Sequence, residues 1–152
     1  MRRTTSLLLA LSFAPTLALA QVNVNLPWAR ATPLTQKSAA IYMKLEAHAG
    51  AGVALVGASS PFAQTVEIRV PGKPQTGKTR FPRLTIRAGS SLTLKPGASH
   101  LMLVGMTQGL VQGAHVPLTL EFELQGGGRF PVLINAEVVG ANAKTALDHH
   151  HH

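Results

Sequence analysis

Cysteine is absent from all 152 residues. No disulfide can brace the fold, and chemistry that needs a thiolate is excluded: blue-copper centres, thiol oxidoreductases and cysteine nucleophiles. Acidic residues are scarce as well, with fourteen Lys and Arg against six Asp and Glu and a formal net charge of +8. Before Asp148 the carboxylates are only Glu46, Glu67, Glu121, Glu123 and Glu137. Glu121 and Glu123 fall on the polar side of one strand, the usual place for solvated charge, so a paired-carboxylate mechanism has little to work with. No G-x-S-x-G, H-E-x-x-H or phosphate-cradling glycine loop appears, and the chain reads as a non-enzyme. Aromatics make up 5% of the chain, and the basic stretch from Arg69 to Arg87 holds one of them, Phe81, so there is no stacking platform for bases and nucleic acid is not an expected partner.

Long apolar runs are also missing beyond the amino terminus. Residues 1–20 combine Arg2 and Arg3, an apolar run over 7–14 and the small-residue ending Ala18-Leu19-Ala20, which reads as a secretory signal peptide with too short an apolar run to span a bilayer. Arg2-Arg3 hints at the twin-arginine route, but general secretion suits the flanking residues better. The expectation is an exported protein without a transmembrane segment, periplasmic in a Gram-negative cell. At the other end, His149 to His152 after Leu147-Asp148 reads as an expression tag, so 147–152 is set aside and residues 21–146 form one domain.

No part of that domain sustains a helical period. Leu118, Leu120, Phe122 and Leu124 alternate with Thr119, Glu121, Glu123 and Gln125, the pattern of a half-buried antiparallel strand. Gly126-Gly127-Gly128 turns it into a second strand over 129–139, giving a hairpin. Short runs at 39–46, 53–58, 65–70, 84–87, 91–94 and 100–104 are separated by Pro and Gly turns. Seven to nine short strands at this spacing predict an all-β, single-domain Greek-key sandwich or barrel, with 71–77 as a long loop.

His100-Leu101-Met102 is the most informative motif. On a strand, residues two apart share a face, so an imidazole nitrogen and a thioether sulfur point the same way, a soft pairing suited to Cu(I). In isolation the motif more often means a core Met and a rim His than a metal site. Met43 reads as core, Met106 would share the face of Met102 but about 13 Å along the strand, and His48 and His115 read as solvated loop residues.

The neighbouring segments sharpen the motif. Trp28-Ala-Arg-Ala-Thr-Pro33, Ala39-Ala-Ile-Tyr42, Val66-Glu-Ile68, Leu94-Lys-Pro-Gly97, His100-Leu-Met-Leu103 and Val116-Pro-Leu-Thr-Leu120 occur in an order that resembles the periplasmic copper chaperones called PCuAC. The resemblance implies a cupredoxin-like β-sandwich, Cu(I) held by two His and two Met, and supply of copper to the CuA centre of cytochrome c oxidase. His100 and Met102 match the second half of that ligand motif. In the first half Arg69 stands where the family has a His, and 78–81 holds no Met. A guanidinium has no lone pair to give a metal. The site is therefore expected to be incomplete, and Cu(I) to be bound weakly, not at all, or between two chains that each give His100 and Met102. Cytochrome c oxidase assembly proteins or another copper carrier are the partners that this reading implies. The alternative is a metal-free binding module of the same fold, with Arg69, Arg80 and Arg83 anchoring an acidic partner or anionic surface.

Overall fold

The alternation read in the sequence governs the whole molecule. In the computed structural model, which describes residues 22–73 and 81–146, nine strands follow one another: β1 (Val22–Arg30), β2 (Ser38–Ala47), β3 (Val53–Ser59), β4 (Ala63–Arg69), β5 (Leu84–Ile86), β6 (Ser91–Leu94), β7 (His100–Met106), β8 (His115–Leu124) and β9 (Arg129–Val139). There is no helix among the described residues. The expected signal peptide, the C-terminal His run, Lys78 and Arg80 lie outside the described residues, as does all but the first turn of the expected 71–77 loop.

The strands pair in the order β4-β7-β2-β1-β9-β8-β3-β5, with β6 joining β2. β1 and β9 run parallel and every other pair is antiparallel. β3 and β4 lie far apart along this path, yet only Ser60, Pro61 and Phe62 link them. The sheet must curl until those ends meet, and Ser60 Oγ fastens the corner by donating to Pro117 O at 2.7 Å. The result is the cupredoxin-like all-β sandwich that the sequence predicts.

Between the layers one row of facing residues is almost sealed from solvent: Val138, Ala29, Ile41, Leu101 and Ile68, none more than 1% exposed. Phe122 and Leu120 of β8 and Leu55 of β3 close the other side. The hairpin β8–β9 turns through three glycines, all with positive φ, a conformation that side chains disfavour. Leu124 N–H donates to Gly128 O at 2.9 Å across that turn.

β1 departs from the sequence expectation, which had no strand before residue 39. Its alternation is broken by a bulge: Asn25 faces Lys44 while Trp28 faces Tyr42, so β1 holds one more residue than β2 between these pairs. Pro27 sits in the bulge without an amide hydrogen to donate. Leu26 takes φ 46°, a left-handed value that costs a leucine about 1–3 kcal/mol. A second departure is at Gly105, whose φ of 70° shifts the phase of β7, so Met106 turns into the core rather than sharing the face of Met102.

Two predictions follow from the packing and the cross-strand charges. Phe122 is fully buried and stacks on Phe130 at a centroid distance of 5.6 Å; Phe122→Ala should cost about 3–5 kcal/mol in urea unfolding, while Leu133→Ala, at an exposed site, should stay within about 0.5 kcal/mol of the parent. Hydrogen bonds from Arg83 (2.6 Å) and then Arg129 (3.3 Å) hold the Glu123 carboxyl below the usual carboxylate range. A depressed folded-state pKa gives stability that is present above the unfolded value and lost as pH falls through the folded one. Glu123→Gln should therefore lose less stability than the parent between about pH 6 and about pH 3, measured by urea titrations at each pH.

Candidate metal centre

The inward side chains of β7 decide where its donors point. Leu101 and Leu103 are fully buried, so His100 and Met102 emerge together, half-buried, on the outer face. His100 opens the strand just after a tight turn, in which Gly97 has φ 79° and Ala98 N–H donates to Lys95 O at 3.0 Å. That turn presents Ala98 O to the imidazole, 2.9 Å from His100 Nδ1. A carbonyl oxygen only accepts, so Nδ1 carries the proton and the lone pair of Nε2 is left for another partner. Fixing a ring this way is the usual means of orienting a metal-ligating histidine.

On the neighbouring edge, β4 places Arg69 opposite His100 and Glu67 opposite Met102. Residues 67 and 69 share a face, and Arg69 Nη2 reaches Glu67 Oε2 at 2.8 Å. Glu67 is the buried charged residue among those described, 7% exposed, and the adjacent guanidinium supplies its countercharge. Arg69 Nε is buried with no hydrogen-bond partner among the described residues. Position 69 thus faces the histidine, as a ligand there would, but holds a cation tied to its own strand. The pair is neutral as a unit, so the repulsion that Arg69 alone would exert on a metal ion is offset.

On the other flank of His100 lie rings that the sequence reading did not single out as part of a site. Tyr42 is 5.9 Å from the imidazole, centroid to centroid, and Trp28 is 4.6 Å from Tyr42. The Arg30 guanidinium lies 5.8 Å from both aromatic centroids, within cation–π reach, and its Nε donates to Ala143 O at 2.7 Å. Trp28 and Arg30 are two apart on one strand, and that spacing was the available signal. A cleft of about 220 Å³ bordered by Arg30, Tyr42, Gln36 and Met102 leaves the thioether side approachable.

The remaining candidates are scattered. Met43 is core, as expected, and His48 is exposed in a turn. His115 is exposed but belongs to β8, opposite Glu137, where the sequence suggested a loop. Arg83 binds Glu123 next to β5, at the far end of the strand order from Arg69. Among the described residues no group of three or more His, Cys, Asp or Glu could hold a metal. The donors that the fold does bring together are one imidazole and one thioether, a soft pair.

The fold has counterparts among known structures. The copper-bound PCuAC domain of PmoF2 is 26% identical with a TM-score of 0.65, the similarity covering 81% of this chain and 96% of that one. The Cu(I) form of DR1885 from Deinococcus radiodurans is 29% identical with a TM-score of 0.54, covering 82% and 84%. The apo PCuAC domain of PmoF1 shares the fold at a TM-score of 0.66 with 22% identity, over 79% and 94%. In sequence, "Putative lipoprotein Lxx21020" of Leifsonia xyli subsp. xyli is 31% identical over 126 residues, 80% of this chain and 73% of that protein. Residues 22–134 match the family described as "Putative lipoprotein LpqE-like". With that match spanning most of the chain, and its fold that of the PCuAC domains, the protein belongs to the LpqE-like family.

Proposed function

We propose that this protein is an exported copper carrier of the PCuAC kind, which takes up Cu(I) through His100 and Met102 and passes it on toward the CuA centre of cytochrome c oxidase. The observation that carries this reading is the setting of His100: its Nδ1–H is committed to Ala98 O, which leaves Nε2 as the donor nitrogen of a half-buried ring on the strand face that Met102 shares. A thioether beside an imidazole selects a soft monovalent ion over hard cations. That two of the similar solved structures are copper-bound forms of PCuAC proteins supports the same reading.

The site is incomplete in this chain. Arg69 occupies the position that faces His100, and a two-donor site binds loosely and exchanges readily, which suits transfer rather than storage. Further donors come from the recipient or from a second copy of the chain. A lipoprotein name among the relatives and the signal-like residues 1–20 both support an envelope location, which we assign to the periplasm. No helix of the described residues is long and apolar enough to cross a membrane. The partners that fit are oxidase assembly proteins or another copper carrier, and the protein acts by binding, without catalysis.

An anaerobic Cu(I) competition titration against a chromophoric chelator, on protein lacking His149–His152, tests this. His100→Ala should abolish the specific binding, and undiminished binding in that variant would refute the assignment. Arg69→His should place a second imidazole opposite the first and tighten Cu(I) binding by about tenfold or more. If Arg69→His folds normally and binds no more tightly, position 69 is not the missing ligand position.

A further inference from the structure

A separate cleft of about 430 Å³ opens beside Trp28, between the β1 bulge, the end of β6 and the segment 144–146. Its walls are apolar: Trp28, Leu26, Leu94 and Pro96 contribute, and Ala146 packs in the same cluster as Trp28. Three lysines, Lys44, Lys95 and Lys144, stand around it, and among the described residues no acidic side chain lines it. Lys44 is engaged by Glu46 at 2.6 Å, so the positive end of the cleft is centred on Lys95. Its size and apolar lining with a few charged groups are those of small-molecule sites.

Leu26 makes this more than a surface depression. It holds a left-handed φ of 46° and, at 63% exposed, spends that strain on keeping an apolar side chain at the rim instead of in the core. A glycine would hold the same bulge without strain. The side chain gains nothing from burial in the free protein; it would be covered by an apolar molecule lying along the cleft.

We propose that this cleft binds a medium-chain fatty acid anion, its alkyl chain over Trp28 and Leu26 and its carboxylate beside Lys95. Charge complementarity fixes the sign of the head group, and the apolar walls call for an extended tail. The copper reading is not involved, since none of the lining residues is His100 or Met102.

Trp28 is the only tryptophan of the chain, so its emission reports on the cleft directly. Decanoate, kept below its micellar concentration, should shift Trp28 fluorescence saturably, with calorimetry giving one site per chain. Decanol and decyltrimethylammonium should bind about tenfold or more weakly, and Lys95→Glu should weaken decanoate by a similar factor. Leu26→Gly should weaken binding while leaving urea stability equal or higher, a combination that a purely structural role for Leu26 would not give. The proposal fails if neither fluorescence nor calorimetry detects decanoate, or if decanol binds as tightly. It fails equally if only vesicles containing phosphatidylglycerol shift Trp28, which would make the cleft a membrane contact.

Discussion

The burial of Leu101 and Leu103 is the constraint on which the rest of the outer face depends. Both side chains are fully buried, Leu101 between Ile41 and Ile68 and Leu103 between Ala39 and Val66 of the flanking strands, and this pins the phase of β7. A slip of one residue would turn two leucines to solvent and push an imidazole into hydrocarbon, a change that costs several buried side chains at once. The donors are therefore held outward by residues that never touch a metal. Tight packing on one face serves as the orienting device for the other.

On that outer face a single row carries three kinds of chemistry side by side: the Arg69–Glu67 ion pair, the His100–Met102 donors and the Trp28–Tyr42 rings under Arg30. Alone, Arg69 would set a bare charge beside the histidine, but Glu67, two residues back on the same face, compensates it locally. The charge is thus balanced within the strand that bears it.

Much of this was legible in the sequence where period two was unbroken. β8 and β9 with their glycine turn, β2, β6 and β7 appear close to where alternation puts them, because each buries one face only. β1 escaped because an extra residue, a proline and a left-handed leucine interrupt its pattern between Asn25 and Trp28. Met106 was placed on the wrong face because a glycine inside a strand says nothing in sequence about the sign of its φ. At the site, the shared face of His100 and Met102 was readable from their spacing. The carbonyl that orients the imidazole was not, since it comes from a turn whose backbone geometry has no side-chain signature. Nor was the attachment of Arg83 to Glu123, forty residues away, which only the pairing of distant strands brings together.

The parallel pairing of β1 with β9 has a consequence for how the molecule is made. Trp28 to Arg30 find their partners at Glu137 to Val139, more than a hundred positions later in the chain. The layers cannot close until β9 has emerged, and closing so long a loop is slow. A chain that leaves a narrow translocation channel amino terminus first thus stays open until β9 has passed through. Threading and folding are kept apart in time by the order of the strands alone.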